Sequence, residues 1–457
     1  MMNRRKALGL LLGGGGAAAA LASGREAFAG TFGRPEPLVA AQTATRRGLP
    51  PVKITDVKVI MTEVGRSRFC NVKVMTDEPG LYGVGDGNHA ERVAIVGQTV
   101  DEFLKPLVVG RSVDEIEDIW QTAYVAPYWR QDVDAFNAMA AIDGALWDIL
   151  GKRAGMPVYQ ILGGKVRPAC RMFANASGRS LQDLEDNVRR LMSEGYKHVR
   201  LRAVGLGGGG SGQQVGAQAG ASGMGRVGVR RQDAVFINAL VKEFDHLRNT
   251  VGWDVELSFD VHEYPHPSGA IMLAKALEPY RPHFLEDLFA PEDVYWYERL
   301  REESAIGVAM GELFVSRSEW LPLVKNRWID YMRAHISAIG GLNMARKIAM
   351  ACEFYNVRTA WHGPSNVSPV GHAINLHLDL ATYNFGIGEG GNFSDQIKEL
   401  FPGAPETRDG LRYANDLPGL GIDINEEVAA RYPLTAPGSN RGMRGEDGEP
   451  RRPLESN

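Results

Sequence analysis

The sequence predicts an α/β protein: a (β/α)8-type barrel that follows a smaller N-terminal α+β capping domain. Two observations predict the barrel. Short apolar runs alternate with helical periods eight times over about 220 residues after Gly164. Three of those runs end in an acid at a constant interval, Asp260 in SFDVHEY, Glu286 in HFLEDLF and Glu312 in VAMGELF, spaced 286 − 260 = 26 and 312 − 286 = 26 residues apart. The C-terminal ends of barrel strands form one rim, where chemistry sits. Three carboxylates crowded there are favourable around a hard divalent cation, and oxygen-only ligation points to Mg2+.

The elements follow in order. Residues 1–29 have the layout of an export signal. A basic start (Asn3-Arg4-Arg5-Lys6) precedes an Ala/Leu/Gly stretch from Ala7 to Ala22, and Ala27-Phe28-Ala29 forms a small-x-small cleavage site before Gly30. The paired arginines resemble a twin-arginine signal, so the expected location is outside the cytoplasm, in a periplasm. The apolar stretch is short and glycine-interrupted, so no stable membrane span is expected after its removal. Residues 30–51, rich in Pro, Thr and Arg, read as a linker.

The capping domain spans 52–165. Lys53–Glu63 and Phe69–Thr76 alternate apolar and polar, which predicts a short antiparallel sheet, and a helical period runs from Glu91 to about Gly155. The barrel spans 166–395, with strands expected near Cys170–Asn175, His198–Ala203, Val255–Asp260, His283–Asp287, Gly307–Glu312, Tyr331–Ile336, Arg358–His362 and Asn384–Glu389. Residues 396–457 form a C-terminal segment and polar tail. Gly205–Gly225 contains ten glycines and begins with G-x-G-x-x-G, but no apolar helix opens after it to present an N-terminus to a pyrophosphate. It reads as a loop above the rim.

Composition excludes other classes. The chain has 457 residues, a formal net charge of −4 and scattered cations, which leaves no basic footprint for nucleic acid. Three distant cysteines, Cys70, Cys170 and Cys352, form neither a disulfide framework nor a zinc cluster.

The cap, the PVYQILGG junction and the Asp, Glu, Glu series resemble the enolase superfamily. Within it, AAIDGALWDILGK, FDVHEYP, IDYMRAHIS, VRTAWHGPSNVSPVGHA and NFGIGE resemble the mannonate/galactonate (acid-sugar) dehydratase group across about residues 52–395. The resemblance implies Mg2+ at Asp260, Glu286 and Glu312, a general acid at His262, a substrate-contacting Arg333, a rim histidine at His362 and an acidic residue at Glu389. It implies a small carboxylate substrate, and a homo-oligomer is expected. The chemistry agrees: α-proton abstraction leaves an enediolate that a cation stabilises, and a departing β-hydroxyl needs a proton donor such as histidine. His262 follows Asp260 by two residues, which places both on one side if the strand continues.

Several positions depart from the group. Its base is a tyrosine in the loop after the second strand, acting with an arginine that Arg200 matches, yet no tyrosine occurs between Tyr196 and Tyr264. A usual histidine is Asn175, a usual aspartate is Asn366, and a usual capping-loop asparagine falls at or near Ala90. The expected function is therefore a Mg2+-dependent lyase of acid-sugar-like carboxylates that is not an efficient mannonate dehydratase. The alternative is a catalytically silent homologue that binds acid sugars.

Overall fold

A computed structural model describes residues 50–65, 67–88, 92–202, 204, 233–435, 443–444 and 450–451. The export signal, nearly all of the linker, Ala90 and the glycine-rich run fall outside these residues. Chain contacts divide the protein into two units, Met1–Pro51 and Val52–Asn457, and the second holds both the cap and the barrel.

β1 (Ile54–Val64), β2 (Ser67–Thr76) and β3 (Tyr82–Asp86) form the expected antiparallel sheet. A 22-residue helix, α1 (Val133–Ala154), lies on it. Asp132 caps its start by accepting from Asp134 N and Ala135 N, and Gly155 ends it at φ 64°, the left-handed turn that glycine adopts without steric cost. Gly83 and Gly85 of β3 let the helix approach closely, because a Cβ at either would strike the carbonyl oxygens of Ala145 or Ala141. Buried Asp148 of α1 accepts from Val84 N at 2.9 Å and Leu420 N at 2.8 Å, joining sheet, helix and C-terminal segment.

The barrel strands are β4 (Cys170–Ala176), β5 (His198–Leu201), β6 (Glu256–Asp260), β7 (Leu285–Glu286), β8 (Val308–Met310), β9 (Tyr331–Met332), β10 (Arg358–Thr359) and β11 (Gly388–Glu389). They pair in parallel from β4 to β10, Thr359 bridges Phe385, and β11 pairs with β4, which closes the ring. Most strands are shorter than their apolar runs. Glu312, Arg333 and His362 therefore lie in the loops after β8, β9 and β10, not in strands. His262 also lies beyond its strand: the backbone turns left-handed at His262 (φ 53°) and Glu263 (φ 58°). The turn, and not strand alternation, directs its side chain.

The chain after 395 does more than trail away. β12 (Glu406–Arg408) and β13 (Leu411–Tyr413) form a hairpin that pairs antiparallel with the start of β4, and Pro433 bridges Thr62 of the cap. Inside the barrel, Phe173, Phe284, Ala309, Ala360 and Ile387 form a separate buried apolar cluster. That plug is the floor of the site. No helix among the described residues is long and apolar enough to cross a membrane.

Candidate active site

Two guanidinium groups rest on the apolar floor. The Arg200 and Arg333 carbons lie 5.1 Å and 5.5 Å from the centre of the Phe173 ring, a cation–π arrangement that offsets part of their desolvation. Arg200 comes from β5 and Arg333 from the loop after β9, and both are buried, at 3% and 0% exposure. Arg200 donates to Asn175 Oδ1 at 2.8 Å, Asp260 Oδ2 at 3.2 Å, Glu286 Oε2 at 2.9 Å and Glu389 Oε1 at 2.9 Å. Arg333 donates to Glu286 Oε1, to Glu389 Oε2 at 2.7 Å and to Ala360 O at 3.0 Å. The two arginines thus clamp Glu286 and Glu389 from both sides. Arg333 and Glu389, expected to touch substrate, lie in this buried layer, and Arg200 is fully engaged there.

The rim stands above. His262 Nε2 lies 3.2 Å from Glu312 Oε1, and His362 Nε2 lies 3.0 Å from Glu312 Oε2. Two imidazoles therefore flank one carboxylate. Their side chains are 26% and 16% exposed, against 0% for Glu286 and Arg333, so the histidines are the accessible layer. Asp260 joins the layers: Oδ1 accepts from His262 N at 3.1 Å while Oδ2 accepts from Arg200. A cavity of about 500 Å3 opens onto the rim and is lined by His262, Asp287, Glu292, Glu312 and Leu313, among others.

Electrostatics follow from this packing. Burial and the neighbouring Glu286 charge push the Asp260 carboxyl well above the usual range. Burial acts the same way on Glu312, but the charge of His362 and the hydrogen bonds from both histidines outweigh it and hold the group well below that range. Burial also disfavours charge on His262, yet Asp260 and Glu312 raise it to about 11. Arg200 and Arg333 overcome the burial of Glu389 and keep it ionised.

The donor set fits a hard divalent cation. Asp260, His262 and Glu312 offer atoms within 4.8 Å of one another, as do Asp260, Glu286 and Asp287. Carboxylates dominate both groups, and each oxygen keeps a lone pair beyond its hydrogen bonds. Asp260 belongs to both groups, whereas Glu286 and Glu312 fall in different ones, so the expected triad is not gathered within that distance. Around Asp260 the structure places His262, Glu312 and His362 on the rim and Glu286, Arg200, Arg333, Glu389 and Asn175 in the buried layer. Asn366 lies on the loop after β10, its Oδ1 buried without a hydrogen-bond partner among the described residues.

Sequence reasoning missed two nearby groups. Asp287, buried and left-handed at φ 45°, accepts from Gly311 N at 3.1 Å, and its signal was the adjacent acid pair Glu286-Asp287. His335 contacts His362, and its signal was its place two residues after Arg333, as His262 follows Asp260.

A closed parallel barrel, a cap built around α1 and an acid cluster at successive strand ends define the enolase class of (β/α)8 proteins. Two family profiles agree. The mandelate racemase/muconate lactonizing enzyme N-terminal domain matches residues 42–163, and the enolase C-terminal domain-like profile matches residues 183–428. The D-galactonate dehydratase family member Dd703_0947 of Musicola paradisiaca is 44% identical over 393 residues, covering 84% of this chain and 94% of its own. The member RspA of Pantoea ananatis is 45% identical over 391 residues, covering 83% and 94%. A solved enolase structure from Pantoea ananatis, described with bound D-gluconate and Mg, superposes with a TM-score of 0.82 at 43% identity, covering 88% of this chain and 100% of that one. The chain belongs to the enolase superfamily and, within it, to the D-galactonate dehydratase family.

Proposed function

We propose that the protein is a Mg2+-dependent hydro-lyase that removes water from a monocarboxylic acid sugar. One observation carries the reading: two imidazole Nε2 atoms flank the two oxygens of Glu312, beside Asp260. β-Elimination needs one base and one acid on either side of a bound carboxylate, and this arrangement supplies both. Asp260, Glu286 and Glu312 would hold the cation. When bound, it would stabilise the negative charge that develops on the substrate carboxylate as the α-proton leaves. His262, whose Nε2 lies at the accessible rim, donates its proton to the departing hydroxyl. His362 is the base for the α-proton once its Nε2, which donates to Glu312 Oε2 here, is released from that oxygen. Arg200 and Arg333 hold the carboxylates in place beneath and make no substrate contact themselves. The related structure with D-gluconate supports a six-carbon aldonic acid as substrate.

Mannonate dehydration is expected to be poor, because no tyrosine lies between Tyr196 and Tyr264 to act as base. The proposed location is outside the cytoplasm, after export directed by Arg4-Arg5.

The test is a screen of D-gluconate, D-galactonate and D-mannonate with Mg2+, following the 2-keto product. Turnover of at least one acid, lost on Glu286→Gln, supports the reading. Saturable acid binding without turnover would replace it with the silent binding homologue.

A further inference from the structure

Resting on that reading, in which His362 is the base, we propose that Arg412 and His372 are positioning residues. Together they form a relay from the C-terminal hairpin that sets the gap between the loops carrying His362 and Glu389. The ring has little backbone pairing at this seam. Among the described residues β10 meets the chain before β11 through the bridge of Thr359 and Phe385, and β11 pairs with β4 through two residues.

Arg412 reaches the seam from β13, where it lies opposite Cys170 at the start of β4. It is buried at 2% exposure, and its hydrogen-bond partners are all uncharged acceptors. Nη2 donates to Gly390 O at 3.0 Å and Gly391 O at 2.6 Å, both just after β11. Nε donates to Thr407 Oγ1 at 3.1 Å, and Nη1 lies 3.1 Å from His372 Nδ1. A guanidinium only donates, so His372 Nδ1 accepts. The other ring nitrogen, Nε2, then carries the proton and faces Pro364 O at 3.3 Å, two residues after His362. An unbroken chain of bonds thus joins the loop after β11 to the loop after β10.

The packing agrees. The His372 ring is wedged between two glycines, each of which follows a site residue. A Cβ on Gly363, next to His362, would come within 3.2 Å of His372 Cε1, and one on Gly390, next to Glu389, within 2.8 Å. Phe393 meets the same ring edge-to-face with centroids 5.2 Å apart. Asn392 exchanges hydrogen bonds of 2.8 Å and 3.0 Å with the Thr407 backbone, which ties the loop after β11 to the hairpin a second time. Across the gap, Gly363 N donates to Glu389 Oε2 at 2.9 Å, so that amide reports the width of the seam.

The experiment compares His372→Gln, His372→Leu and Arg412→Met in the intact protein. Glutamine offers an acceptor and a donor at nearly the spacing of the two ring nitrogens, whereas leucine fills the space and offers neither. Hydrogen exchange read by mass spectrometry should accelerate roughly 5–10-fold in both 361–368 and 388–394 for His372→Leu and Arg412→Met, as the loss of one or two buried hydrogen bonds implies. His372→Gln should exchange like wild type. On a substrate found in the screen, kcat should fall roughly 10–100-fold in the first two variants with KM little changed, and recover in His372→Gln. A packing role alone predicts the reverse order, because leucine suits a buried site better than an amide. Unchanged exchange in His372→Leu, acceleration in one loop only, or a glutamine variant no better than leucine would overturn the proposal. The two His372 variants carry the test if Arg412→Met does not fold. If wild type turns over no carboxylate, the proposed function fails, and the exchange data alone decide whether the relay sets the seam.

Discussion

Replacing Arg333 with methionine tests whether the buried cations hold the acid cluster together. Methionine keeps most of the stem volume, so the cavity cost is small and the change is chiefly the loss of charge and donors. Glu286 and Glu389 would be left in a water-free layer, at 0% and 4% exposure, with Arg200 as their shared cation. Orphaning a buried charge costs roughly 3–5 kcal/mol. In a chain of this size, at about 2.1 cal/mol/K per residue, that lowers the melting temperature by roughly 3–6 °C. The control is the double variant Arg333→Met/Glu389→Gln, in which one orphaned charge is gone. It should be more stable than the sum of the single changes by at least about 1 kcal/mol. Differential scanning fluorimetry and urea titration of metal-free protein measure both quantities. A single variant that melts with wild type, or a double variant that is strictly additive, would refute the idea that the arginines balance the acids.

Other predictions concern the cap, the pH response and export. Burial raises the Asp143 carboxyl of α1 to about 7, against hydrogen bonds from the backbone of Asn343 and Leu342. Because the folded-state value lies above the ordinary one, its contribution is full below about pH 4 and is lost as pH rises through about 7. Asp143→Asn should therefore gain on wild type by up to roughly 4 kcal/mol between pH 4 and pH 8, and a stability difference that is flat with pH in urea titrations would contradict this. Gly85→Ala should destabilise the protein by roughly 1–3 kcal/mol, since the new methyl strikes Ala141 O; an unchanged melting temperature would show that α1 can retreat. Exchanging Arg4 and Arg5 for lysine should leave the protein in the cytoplasm and unprocessed, whereas mature protein starting near Gly30 in the periplasmic fraction would argue against the signal.

The barrel and its acid spacing were legible because both depend on local patterns: apolar runs of strand length and one acid per run. Asp260 and Glu286 do end β6 and β7. The depth of Arg200 and Arg333 was not legible. Neither periodicity nor spacing tells whether a long cation reaches the rim or folds back over a phenylalanine at the centre of the ring. The direction of His262 was expected from strand alternation but depends on a left-handed turn, which only the folded backbone displays. The β12–β13 hairpin was readable and overlooked. Asp409-Gly410, with φ of 53° and 67°, is the two-residue turn that favours tight hairpins, placed between two short strands. The glycine-rich run stays a matter of sequence, since it lies outside the described residues.

The layer of arginines has a consequence for how this molecule can change over generations. A metal centre whose acids repel one another until the ion arrives ties folding to metal supply, as in small zinc domains that unfold when stripped. Here the counter-ions of Glu286 and Glu389 are covalently part of the chain, so the scaffold is expected to stand whether or not an ion is bound. Chelation should therefore be a reversible, local event. Substitutions at the histidine rim can then accumulate without toppling the barrel, and a lineage can trade one acid sugar for another, or give up turnover altogether, while still making a stable protein.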